Sequence, residues 1–285
     1  MKIKLNRLQT MAAAVGSALA AFLLRLNQLS RAFDDAGMTT GKGVVFFSLV
    51  TVLAVAAFAF YSFTLKGRKK YKTIMGQGLT ELVLGAAAAF LMITAGGMLL
   101  LDQTLQGDKL VAVGSILVGA CWGITAAGRY LGKKVHCLLF MIPAAFYVVE
   151  LVCRFRLWTR DPIIIDYCYE LFALISIMCA VFHLGGFCFE QGSRRMTVFF
   201  SLCGVFFGAA ALAKNTTAAA LGYGAAILWL LANLWLLLRP SRRKQEAEPL
   251  QEAEPETEEP VEAETEEVSE NSGENEDNEE NGEIL

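Results

Sequence analysis

Histidine is nearly missing from this chain: His136 and His183 are the only two in 285 residues. So few imidazoles leave little room for ordinary acid/base or zinc-hydrolase chemistry. The sequence also lacks a P-loop, an HExxH pair, a GxSxG elbow and a glycine-rich fingerprint after a strand. Its seven cysteines (Cys121, Cys137, Cys153, Cys168, Cys179, Cys188 and Cys203) include no CxxC pair, and most lie inside apolar runs. An odd number placed that way reads as soft packing residues, not as a disulfide or metal framework. No cofactor, metal or nucleic-acid partner is expected, and the reading leans away from an enzyme. Lys and Arg are absent altogether from Gln245 to Leu285, a stretch that carries 18 acidic residues.

What is abundant is apolar sequence. Hydrophobic residues make up 55% of the chain and the mean hydropathy is +0.45, which places it in a membrane class. Apolar runs near 8–26, 44–65, 78–101, 109–128, 136–155, 162–187, 196–213 and 218–239 each match the ~20 residues that cross ~30 Å of hydrocarbon as a helix. The fold expected is therefore all-α: a polytopic transmembrane bundle of about eight spans over residues 1–240. Residues 241–285 would follow as an acidic cytoplasmic tail, disordered because like charges repel and little apolar surface is available to bury.

Basic residues orient the spans. Lys2, Lys4 and Arg7, then "GRKKYK" at 67–72, then Arg129, Lys133 and Lys134, Arg194 and Arg195, and Arg239, Arg242, Arg243 and Lys244 fall on alternate connections. Positive residues stay cytoplasmic, so both termini should be inside. Ala18-Leu19-Ala20 mimics a signal-peptidase site, but the apolar run continues through "AFLLRL", as an uncleaved span does. Ser115, Gly119, Gly123 and Ala127, with Gly204 and Gly208 and with Ala218, Gly222 and Ala226, make four-residue stripes suited to close helix packing within the bundle.

Few charges enter the spans, and each costs ~2.5–3.5 kcal/mol at mid-bilayer on insertion scales. Glu81 is explained by a helix first turn, with Thr80 as cap. The fifth and sixth spans are different. If Asp161 caps the sixth helix and Pro162 opens it, Glu170 lies ~12 Å in and Asp166 one turn shallower. A hairpin folded near Arg160 then sets Arg154 level with Asp166, Glu150 level with Glu170, and His136 level with His183. Two carboxylates on one rung in a low dielectric cannot both ionise cheaply; one holds a proton or the pair takes a cation. Glu150, Arg154, Asp166, Glu170 and Arg25 are accordingly the candidate substrate- or ion-binding residues, covered by the first outer loop, "RLNQLSRAFDDAGMTTGKG". The two histidines read as snorkelling groups at helix ends. Arg25 and Arg31 match the spacing of Arg154 and Arg160, which suggests a parallel repeat of four helices.

Arg31-Ala32-Phe33-Asp34 with Gly37 and Gly41, together with "DYCYELFALI" at 166–175, resembles uncharacterised multi-pass membrane proteins of Gram-positive anaerobes. The resemblance implies a bacterial plasma membrane and carries no function. Three roles follow from the residues. The first is a permease-like, proton- or cation-coupled transporter of a small solute or proton, with an outward polar site between the fifth and sixth helices. The second is a non-transporting scaffold in the lipid bilayer whose acidic tail recruits a basic cytoplasmic protein. The third is an enzyme acting on lipid with Asp166 or Glu170 as base.

Overall fold

In the computed structural model the described residues are 7–31, 41–65, 78–101, 108–158 and 167–238. They form eight long helices and no strand: α1 (Arg7–Arg31), α2 (Gly41–Thr64), α3 (Leu79–Leu101), α4 (Asp108–Tyr130), α5 (Leu138–Trp158), α6 (Cys168–Gly186), α7 (Arg194–Leu212) and α8 (Thr217–Leu237). All eight are long and apolar enough to cross a membrane. A perimeter of large exposed apolar side chains, among them Leu49, Val52, Phe60, Phe90 and Phe155, would be untenable in water and suits acyl chains. The chain is a multi-pass membrane protein. The acidic stretch falls in a second unit, Arg243–Leu285, outside the described residues.

Within the helical unit, α7 and α8 sit deepest. α7 packs on α1, α2, α6 and α8, and α8 packs against α3 as well as α7. α1 and α2 are the most lipid-exposed, with only 11% of the α2 span buried. Close approach comes from the small residues. A Cβ built on Gly119 of α4 would lie 2.6 Å from Ile93 Cγ1 and 2.9 Å from the Ala89 carbonyl oxygen of α3, so the stripe on α4 packs within the chain. The stripe on α7 does likewise: Gly204 lies under Leu230 of α8 and against Ile177 of α6.

Consecutive helices alternate in direction. α4 ends in a turn where Gly132 adopts φ 68 and the Lys133 N–H donates to the Gly128 carbonyl at 3.0 Å, which reverses the chain into α5. One end of the bundle gathers basic side chains. Arg7 lies over the Trp235 ring at 3.3 Å, and the Arg195 Nε–H donates to the Leu65 carbonyl at 2.7 Å. The Ser62 hydroxyl donates to the Arg195 carbonyl at 2.5 Å, and Thr10 pairs with the Tyr61 hydroxyl at 2.7 Å.

Two expectations change here, and one pair of sequence neighbours is found apart. α2 and α3, neighbours in sequence, are not a packed pair, and α2 leans on α7 instead. The four-helix repeat is not carried by the packing, because its counterpart pair α6 and α7 forms one of the most extensive interfaces. Thr80 lies inside α3, whose first turn begins at Leu79 and holds Glu81 as anticipated.

Candidate functional site

Residues of α5 and α6 pack antiparallel, and two contacts fix their register. Phe140 presses on Gly185, where an added Cβ would come within 3.2 Å. The Cys188 thiol points to the Val135 carbonyl at 3.8 Å. Carrying that register up both helices sets Arg154, not Glu150, level with Glu170. The two-carboxylate rung is thereby replaced by an acid–base–acid arrangement. The hairpin is slipped by about one turn from the symmetric fold, and the described part of α6 runs from Cys168 with Tyr167 as its N-cap. Asp161, Pro162 and Asp166, and with them the cap and the outer rung, lie outside the described residues. Glu170 is consequently a first-turn carboxylate, facing the positive end of the α6 dipole.

The local pairing is concrete. The Arg154 Nε–H donates to Glu150 Oε1 at 3.4 Å across one turn of α5, the favourable order for such a pair. The Arg154 guanidinium is also within Coulombic reach of Glu170 and of Tyr223 on α8. Glu150 and Glu170 are both buried, whereas the Arg154 side chain keeps 23% of its surface exposed.

Glu150 and Arg154 open onto a cavity of about 20 Å³, measured to the centre of a water molecule. That space holds one water or a bare ion, and no organic solute. It lies among α3, α4, α5 and α8, so the site is not simply a groove between α5 and α6. Ser115, Tyr147 and Tyr223 complete its polar lining. The hydroxyls of Tyr147 and Tyr223 are buried without a hydrogen-bond partner among the described residues. Two orphan hydroxyls on residues that line one cavity are the pattern that a bound water or ion satisfies.

Arg25 is buried but belongs to a neighbouring cluster. Its Nη1–H donates to Gln28 Oε1 at 2.7 Å and its guanidinium lies 4.9 Å from the centre of the Tyr169 ring. Tyr169 in turn meets Phe47 of α2 at 4.6 Å and hydrogen-bonds Thr51. Arg25 thus ties α1 to α6 beside Glu170. Lys214 caps the same end, 3.7 Å from the Tyr167 ring.

The sequence reading missed Tyr147, Tyr223 and Lys214. A signal existed for the tyrosines: both fall inside spans, not at the interfacial belt where an amphipathic ring is at ease. Arg129, expected only as an orienting charge at the basic end, is instead buried: its Nη1–H donates to Asn233 Oδ1 at 2.8 Å, with Trp229 and Phe140 flanking the guanidinium. The histidines behave as structural groups. His183 stacks on Phe200 at 5.4 Å, and His136 Nδ1 accepts the Leu138 N–H at 3.3 Å. All seven cysteines are free thiols.

Compared with protein-family profiles, with curated proteins and with solved structures, the chain matches none of them.

Proposed function

We propose that this protein is a small permease whose cargo or coupling species is a proton, handled at the Glu150–Arg154–Glu170 cluster. The observation that carries the reading is the cavity beside that cluster, lined by Tyr147 and Tyr223, whose hydroxyls are buried without a hydrogen-bond partner among the described residues. A scaffold gains nothing from leaving such groups unsatisfied, at ~1–3 kcal/mol each. A transport site needs them free to bind and release. The cavity is too small for an organic solute, and the guanidinium in its wall disfavours a free cation; a proton passed between a water and the Glu150 carboxylate fits both constraints. The basic end of the bundle is taken as cytoplasmic, in a bacterial plasma membrane, so that the cluster faces outward.

The test is flux. The full chain is reconstituted in liposomes holding a pH-sensitive dye, and proton uptake is followed after a pH step with the membrane potential clamped. Wild-type uptake above empty liposomes is expected, with a loss of about tenfold in Glu150→Gln at unchanged thermal stability. Background flux in both proteins would overturn the reading. The scaffold would then stand in its place, and deletion of residues 245–285 tests that separately, through loss of a basic cytoplasmic partner in pull-downs.

A further inference from the structure

A second cavity, of about 10 Å³ to the centre of a water molecule, lies at the basic end of the bundle. It is lined by Glu81, Arg129, Tyr130 and Trp229 among others, on α3, α4 and α8. These three helices also line the first cavity, so the two follow one another along a shared axis. On α8 the first is bounded by Gly222, Tyr223 and Ala226, and the second by Trp229, Ala232 and Leu236. On α4 they are bounded by Val111 and Ser115, then by Ala126, Arg129 and Tyr130. From Tyr223 to Asn233, the Arg129 partner, is about 15 Å along α8.

Along α4, Trp122 falls between Ser115 of the first cavity and Ala126 of the second, and its partner Trp229 lines the second. Trp122 of α4 and Trp229 of α8 stack at 5.0 Å with 7° between their planes, each about 1% exposed. The Trp229 ring lies over Gly85 of α3, where an added Cβ would come within 3.5 Å of it. Packing alone does not explain the pair, because both indole N–H groups are buried without a hydrogen-bond partner among the described residues. Trp usually finds a partner for its N–H when buried. Along this one axis, then, Tyr147, Tyr223, Trp122 and Trp229 all hold unsatisfied polar atoms, with an acid and an arginine at either end.

We propose that the cavity of Glu81, Arg129 and Trp229 is a second, inner water site on one proton route through α3, α4 and α8, with the Trp122–Trp229 stack as its closed gate. The inference deepens the permease reading and rests on it for the identity of the moving species. Water entering the axis is held by the tyrosine hydroxyls above the stack and by the Trp229 N–H and the Glu81 carboxylate below it. The stacked indoles fill the space between and break the chain of water, as an apolar constriction does in a channel.

The experiment measures passive proton entry into liposomes bearing the full chain, with no solute added and the potential clamped. Trp229→Ala should raise the entry rate by about tenfold, whereas Trp229→Phe and the lipid-facing Phe90→Ala should match the wild type. Adding Glu81→Gln to Trp229→Ala should cut the leak severalfold. A folded Trp229→Ala protein that is as tight as the wild type would overturn the proposal, and so would a leak indifferent to Glu81→Gln. Should the alanine variant fail to fold, Trp122→Leu opens the same gap from α4 and is read in the same way. The outer-site reading fails independently, through Glu150→Gln in the otherwise native chain.

Discussion

Arg154 of α5 stands level with Glu170 of α6 while donating its Nε–H to Glu150 one turn below, so a single guanidinium serves two buried carboxylates. That places the positive group at the junction of two helices whose acids would otherwise repel. Removing it should therefore do more harm than removing either acid. With Arg154 partly exposed, Arg154→Met is expected to cost about 1–3 kcal/mol, below the 3–5 typical of a fully buried pair. Thermal unfolding in detergent measures this. Adding Glu150→Gln and Glu170→Gln to Arg154→Met should recover most of the loss, since both stranded charges are then gone.

Tyr223→Phe is expected to run in the opposite direction. Its hydroxyl satisfies no partner among the described residues, so deleting it relieves an unpaired buried polar group and should leave stability unchanged or raise it by up to about 1 kcal/mol. Flux should fall all the same, because the oxygen that holds water beside Arg154 is lost. Stability and activity moving apart in one variant would mark a functional group; a drop in both would mark a structural one.

Span length and apolar periodicity carried most of the fold, because lipid demands continuous helices and admits few charges. The α4 stripe of small residues likewise announced its own close packing. What the sequence could not supply was register. One turn of slip in the α5–α6 hairpin moved Glu170 from Glu150 to Arg154, and that slip is set by contacts far along the helices, such as Phe140 on Gly185. Which helices meet was equally hidden: α8 brings Tyr223 and Trp229 against α3 and α4 from over a hundred residues away, and no local pattern records that distance. Glu150, Arg154 and Glu170 stood out as candidates because charge in an apolar run is conspicuous. Tyr147 and Tyr223 escaped because a half-polar ring is not.

Gly119→Val tests the closest helix contact. The side chain would be driven onto the Ala89 carbonyl and Ile93, and α3 and α4 would have to separate. Overpacking of this kind costs about 1–3 kcal/mol, and backbone contact places the expectation at the upper end. Gly222→Ala, which meets nothing within 4 Å, is the matched control and should leave the melting temperature in place. Equal losses in both would mean that the α3–α4 approach does not limit stability.

Orientation can be read by sided labelling. The turn at Lys133 belongs to the basic end of the bundle, while Thr216, exposed between α7 and α8, belongs to the end that holds Lys214 and Arg154. With the native cysteines replaced, Lys133→Cys and Thr216→Cys are each treated with a membrane-impermeant maleimide. Retention of positive charge on the cytoplasmic side predicts that Thr216→Cys reacts in intact cells and Lys133→Cys only after permeabilisation. The reverse pattern would turn the bundle over and make the Glu150 cavity the cytoplasmic mouth, so that the proton would meet Glu81 first.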